Sequence, residues 1–305
     1  MEFLYLLEKI RTPFGDTLMQ LLTDLGSETP FLIVALVFFW CGNKLDGYYL
    51  MASGYLGTLT TQVLKLTCRI PRPWVRDPDF TIVESAREGA SGYSFPSGHS
   101  QNAVGTFGAV AICNPNKILR WVCIAIAVIV PFSRMYLGVH TPADVLIGSA
   151  IALFYLAVMR PVCYSKNGRY IPALFLGMIL LALAFVAYTE LFPFPADIDP
   201  HNLASAIKNA YTLLGALLGM SIVYFVDKMY IHFDSKAVWY AQILKVVGGL
   251  VLALAVKEGL RAPLEALFNG HIISRAVRYM LLVLSAGILW PMTFPWFQKM
   301  GRKDP

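Results

Sequence analysis

The sequence predicts an all-α fold: a polytopic bundle of about nine transmembrane helices, led by an amphipathic helix lying on the membrane surface. Three observations carry this. The 305 residues are 57% apolar and only 14% charged, against about 25% charged in a soluble domain, and the mean hydropathy is positive. The apolar residues gather into long continuous stretches, several of them close to the roughly 20 residues that a bilayer requires. In lipid every backbone polar group must be satisfied within the segment, which makes those stretches helices.

The elements follow in order. Phe3, Leu7, Ile10, Phe14, Leu18 and Leu21 recur at spacings of three and four, with Glu8, Lys9, Arg11 and Asp16 between them. This is the pattern of an interfacial amphipathic helix, with a break expected at Pro13. Spanning segments are expected at about 29–42, 47–66, 98–113, 118–136, 142–159, 172–189, 210–227, 238–256 and 277–295. The expected organisation is a surface segment at 1–28, a catalytic core at 29–160 and a C-terminal transmembrane extension at 161–305. No Lys/Arg-led region precedes the first apolar run, so a cleaved signal peptide is not expected.

Charge and cysteines exclude other classes. The net charge of +6 is scattered between apolar runs, which fits membrane anchoring rather than a nucleic-acid partner. Once Lys65, Arg72 and Arg134 are set aside, Lys and Arg are almost evenly shared between the two faces of a nine-span arrangement. The short loops and the tail, with Arg302 and Lys303, lean their side towards the cytoplasm. Cys41, Cys68, Cys113, Cys123 and Cys163 show no CxxC spacing and read as packing residues.

Three clusters stand at the edges of apolar segments, all on the same predicted face. In His140-Thr141-Pro142-Ala143-Asp144, Thr141 reads as a helix cap, Pro142 as first turn and Asp144 as the acid three residues after the cap. A carboxylate there can fix one imidazole nitrogen of His140 and leave the other free to attack; the plainer reading is a capping box beside a surface histidine. Pro96-Ser97-Gly98-His99 precedes an apolar helix, whose N-terminal amides would point at an anion. Gly98 permits close approach, and His99 can donate a proton; the plainer reading is a turn with a capping serine. Lys65, Arg72 and Arg134 supply charge. They read either as interfacial cations with their stems in lipid or as phosphate ligands, for which guanidinium is well suited. The loop from about 67 to 97 is an ordered cap or access loop, or else a solvated connector.

Chance does not account for the three patterns together. Lys65-x6-Arg72-Pro73, Pro96-Ser97-Gly98-His99 and Ser133-Arg134-x5-His140-x3-Asp144 resemble the three-part signature of the type 2 phosphatidic acid phosphatase superfamily. That superfamily also contains vanadium haloperoxidases and glucose-6-phosphatase. The resemblance covers about residues 29–160. It implies a metal-independent membrane phosphatase acting on a lipid-borne phosphate or diphosphate through a phosphohistidine, with the site on the extracytoplasmic face. By the same resemblance His140 is the nucleophile, Asp144 orients it, and His99 protonates the leaving alcohol. Lys65, Arg72, Ser97, the Gly98 amide and Arg134 hold the phosphoryl oxygens, and Trp74, Tyr93 and Phe95 are candidates for lining the substrate pocket.

Other readings stay open on sequence. A soluble sugar phosphate is the alternative substrate; a vanadate-dependent haloperoxidase or a transporter are alternative classes. No metal or other cofactor is expected, since three cations already face the phosphate; Asp77 and Asp79 read as loop residues. The expected partners are the bilayer and its lipid phosphate, and no oligomeric state is implied. Lys245 and the Lys257-Glu258-Arg261 group lie near apolar spans and invite a functional reading or a span boundary shifted by a turn. Gly215 and Gly219 form a small-xxx-small pair suited to helix packing. His201, His232 and His271 fall in expected loops with no partner in view.

Overall fold

Each expected apolar stretch lies on a helix. The computed structural model describes residues 1–300, so the charges expected of Arg302 and Lys303 lie outside the described residues. The chain begins with α1 (Glu2–Lys9) and α2 (Pro13–Asp24), then α3 (Glu28–Cys41), α4 (Lys44–Cys68) and the short α5 (Pro73–Arg76). Next come α6 (Gly98–Cys113), α7 (Lys117–Tyr136), α8 (Pro142–Cys163) and α9 (Ile171–Leu191). The remainder is α10 (Pro200–Val226), α11 (Trp239–Gly259), α12 (Arg261–Leu267), α13 (Ile273–Leu284) and α14 (Phe294–Lys299). No strand occurs among the described residues.

Among the described residues, fewer helices are by themselves long and apolar enough to cross a bilayer than the nine expected. Six qualify by length and apolarity: α7, α8, α9, and the runs Pro200–Ile231, Trp239–Leu267 and Ile273–Lys299. Helices α2 and α3 pass only as a pair, bent by 43°. α3 has 14 residues and α6 has 16, short of the length that hydrocarbon requires. α4 is long enough at 25 residues, but its Ser, Thr, Tyr, Gly and Gln residues dilute its hydropathy. Its polar side chains serve the interior, as the buried Ser53 and Thr61 show.

The N-terminal stripe is broken where Pro13 was expected to break it. Pro13 opens α2, and Thr12 caps it by accepting a hydrogen bond from the Gly15 amide at 3.1 Å. Leu4 and Leu7 are buried, whereas Phe14, Leu18 and Leu21 stay exposed. Both helices pack on α7.

The chain forms two compact units. The first comprises residues 1–35, 49–161 and 194–206; the second comprises 36–48, 162–193 and the chain from Ile207 onward. All three sequence clusters belong to the first.

In the second unit the cations Lys44, Lys245, Lys257 and Arg261 have partners within the fold. Lys44 pairs with Asp227 at 2.7 Å and lies 3.5 Å from the centre of the Phe233 ring. Lys245 is wholly buried, as its place inside an apolar helix implied, and its ammonium donates to the Ser235 carbonyl at 2.8 Å beneath the Phe294 ring. Lys257 and Arg261 pair with their neighbours Glu258 and Glu265 on the exposed surface. Gly215 and Gly219 pack as expected: a Cβ at Gly215 would lie 2.0 Å from the Ala276 carbonyl oxygen, and one at Gly219 would lie 2.9 Å from Val283 Cβ. Gly215→Ala is therefore expected to force α10 from α13 and to cost about 1–3 kcal/mol. A lowered thermal midpoint of the purified protein in detergent checks this.

Candidate active site

The third cluster folds as its grammar implied, and the fold adds its partners. Thr141 and Asp144 form the capping box of α8: the Thr141 amide donates to Asp144 Oδ2 at 2.8 Å and the Asp144 amide donates to Thr141 Oγ1 at 3.3 Å. The same Oδ2 accepts from Ser94 Oγ at 2.6 Å and lies 3.5 Å from His140 Nδ1. His140 is therefore no surface residue; it is 1% exposed. Its turn is set by Gly138, whose φ of +81° suits glycine and reverses the chain as α7 ends.

Arg72 closes the other side of the imidazole. Its Nη1 lies 2.8 Å from His140 Nε2. A guanidinium has no lone pair to offer, so Nε2 accepts and the proton of the neutral ring sits on Nδ1, towards Asp144 and Ser94. Arg72 is held by three carbonyls: Nε donates to Gly92 at 3.0 Å, Nη1 to Val139 at 3.0 Å and Nη2 to Ser91 at 2.8 Å. Pro71 and Pro73 flank it, and its backbone is extended (φ −65°, ψ 155°), as a residue before proline should be. The loop that supplies these carbonyls is thereby ordered around the arginine.

Lys65, in the last turn of α4, donates to the Tyr93 carbonyl and is buried. Ser97 caps α6, accepting from the Ser100 amide at 3.3 Å and from Ser100 Oγ at 2.9 Å. Its own amide donates to the Asp144 carbonyl at 2.9 Å, which ties the second cluster to the third. In front of Gly98 lies open space: a Cβ there would find nothing nearer than Thr61 Cγ2 at 4.0 Å. His99 follows in the first turn of α6.

Arg134 is 1% exposed and its Nη1 donates to Thr23 Oγ1 at 2.8 Å. Its Nε and Nη2 are buried and have no hydrogen-bond partner among the described residues. Burial, followed by the charges of Arg72, Lys65, Arg134 and then His99, pushes the His140 pKa well below the ordinary imidazole value. The ring is neutral at pH 7 and its Nε2 carries a lone pair. Burial also lowers Arg72, to about 10, with Asp144 acting in the opposite sense; it remains charged at pH 7.

Beside Arg72 opens a cleft of about 680 Å³, within the same unit. Trp74 and Tyr93 line it, facing Asp197, His201 and Asn202; Phe95 is not among its walls. His201, which had no visible partner in the sequence, thus stands across a cleft from Arg72. Trp74 carries the guanidinium of Arg87 at 5.3 Å from its ring centre. Asp77 accepts from Tyr5 at 3.0 Å, and no group of three His, Cys, Asp or Glu side chains among the described residues is placed to hold a metal ion.

Sequence reasoning missed Ser94 and Thr23. Neither belongs to a recognisable spacing; each is an ordinary hydroxyl that acquires a partner only when distant segments meet. It also stopped at residue 160, where the family likeness does not.

Two family models match: the PAP2 superfamily over residues 47–168, and the PAP2 superfamily phosphatase, transmembrane extension, over residues 211–302. Phosphatidylglycerophosphatase B of Bacillus subtilis (strain 168) is 30% identical over 162 residues, which are 50% of this chain and 76% of that protein. Undecaprenyl-diphosphatase BcrC of the same strain is 25% identical over 140 residues, 45% of this chain and 69% of the relative. A probable sphingosine-1-phosphate phosphatase of Dictyostelium discoideum is 26% identical over 230 residues, 71% of this chain and 55% of the relative. No solved structure matches the chain. With one PAP2 model matching residues 47–168, a second matching 211–302 and 30% identity across three quarters of a known phosphatase, the chain belongs to the PAP2 superfamily and is an integral-membrane phosphate-ester hydrolase.

Proposed function

We propose that this protein hydrolyses a lipid-borne phosphate or diphosphate through a phosphohistidine. One observation carries the reading: buried His140 has Arg72 Nη1 2.8 Å from its Nε2 and Asp144 Oδ2 3.5 Å from its Nδ1, in a unit that also buries Lys65 and Arg134. Buried charge is costly unless paired, and a phosphate dianion would balance the excess. The names of the relatives, each a phosphatase of a lipid phosphate, support the lipid as carrier.

The geometry supports the roles that the resemblance implies. The phosphoryl group displaces Arg72 Nη1 from His140 Nε2, and that lone pair attacks phosphorus. Asp144 accepts from Nδ1 as the ring becomes cationic. His99 gives a proton to the departing oxygen, then takes one from the water that releases phosphate. Lys65, Arg72, Ser97, the Gly98 amide and Arg134 hold the equatorial oxygens, where phosphoryl transfer gathers its charge. Trp74 and Tyr93 line the cleft that receives the rest of the substrate. No step requires a metal or cofactor.

α3, α4 and α6 join the six long helices in the bilayer, giving nine crossings, with α1 and α2 at the interface. Residues 29–160 form the catalytic core and 161–305 the supporting extension. The site opens on the extracytoplasmic face.

A substrate panel on purified protein tests the reading. With phosphatidate, phosphatidylglycerophosphate, sphingoid-base phosphate, undecaprenyl diphosphate and glucose 6-phosphate in chelator, phosphate release from a lipid substrate and inhibition by orthovanadate are expected. Strict dependence on added Mg²⁺, or release from the sugar phosphate alone, would overturn it.

A further inference from the structure

We infer that Thr23, on the N-terminal helix α2, is a positioning residue for Arg134 and so for the phosphoryl group; this rests on the phosphatase reading above. Thr23 lies outside residues 47–168 that match the PAP2 model. It is nevertheless 1% exposed and accepts the Arg134 Nη1 proton at 2.8 Å. An arginine presents its donors along planar edges, and the edge formed by Nε and Nη2 gives the parallel pair of N–H groups that fits two oxygens of a phosphate. Thr23 engages the opposite nitrogen and leaves that edge unpartnered and buried. The hydroxyl therefore fixes the long side chain by its far corner and keeps its binding edge for the ligand. A β-branched residue in a helix suits the task, because its χ1 is restricted.

The helix that carries Thr23 is itself held to the site. Arg11 donates through Nε to the Tyr136 carbonyl at 2.9 Å, and the Thr12 amide donates to Tyr136 Oη at 3.2 Å, which pins the start of α2 to the end of α7. At the other end, a Cβ on Gly26 would lie 2.8 Å from the His99 carbonyl oxygen and 2.7 Å from Val130 Cγ1. Both ends of α2 thus abut the segments that bear Arg134 and His99. The N-terminal helices are part of the active-site frame as well as a surface segment.

Thr23→Val keeps the shape and removes the acceptor; Thr23→Ser keeps the acceptor. On the purified full chain, Thr23→Val is expected to lower kcat about tenfold, in line with the sensitivity of oriented groups to small displacements. It should weaken orthovanadate inhibition by a similar factor while KM and the thermal midpoint change little. Thr23→Ser should recover most of both losses. A role in packing alone would move the midpoint and leave vanadate untouched. Wild-type kcat and vanadate inhibition in Thr23→Val, or equal impairment in Thr23→Ser, overturns the inference. Should Thr23→Val fail to fold, Thr23→Ala set against Thr23→Ser makes the same comparison across one oxygen atom. Arg134→Ala and the wild type separate the two levels: if Arg134→Ala is inactive while Thr23→Val is normal, or if Arg134→Ala is fully active, only this inference falls, whereas a wild type that releases phosphate from no lipid substrate overturns the phosphatase reading and the inference with it.

Discussion

His140→Ala is expected to abolish phosphate release, by about 10⁴-fold or more, while the purified protein keeps its wild-type elution and thermal midpoint. Removing a covalent nucleophile leaves only binding and charge stabilisation, which in other hydrolases is a small residue of the whole effect. The side chain's shortest contact is with Arg72, and Arg72 keeps its three carbonyl partners, so the variant should fold. Radiolabelled lipid phosphate should leave label on the wild type after a rapid quench and none on His140→Ala. Retained turnover in that variant would sink the phosphohistidine.

Arg72→Gln is expected to cost about 10²–10³-fold in kcat/KM, the range for deleting one preorganised donor to a developing oxyanion, equivalent to about 3–4 kcal/mol. It also carries a pH signature. In the wild type His140 titrates well below the ordinary imidazole value of about 6.5, so kcat/KM of the free enzyme should persist as pH falls through that value. Arg72 is the first of the charges that lower it, after burial. Taking the cation away raises the His140 pKa, so the ring protonates at higher pH and the acid limb moves upward. A variant that loses rate with an unmoved acid limb would show that Arg72 does not face the nucleophile.

Much of this site was legible because its parts are local. The capping box at Thr141 and Asp144, the serine cap at Ser97, the extended Arg72 between two prolines and the break at Pro13 all obey rules that span a few residues. The close packing of Gly215 and Gly219 was legible for the same reason. The count of crossings was not. α4 is long enough, yet its polar side chains dilute its hydropathy, and α3 and α6 are too short alone.

Ser94, Thr23 and the cleft wall at His201 were illegible for a different reason. Ser94 is 50 positions from Asp144 and Thr23 is 111 from Arg134; nothing about either hydroxyl marks it before the segments meet. The sequence alone determined the helical membrane class, the three clusters and the kind of chemistry they fit, since these depend on composition, periodicity and short spacings. Only the tertiary structure decided which nitrogen of His140 faces Arg72, which edge of Arg134 stays unpartnered, and that Thr23 of the N-terminal helix α2 bonds its other nitrogen. Those are matters of distance and donor direction between residues far apart in the chain, and they exist only once the helices pack.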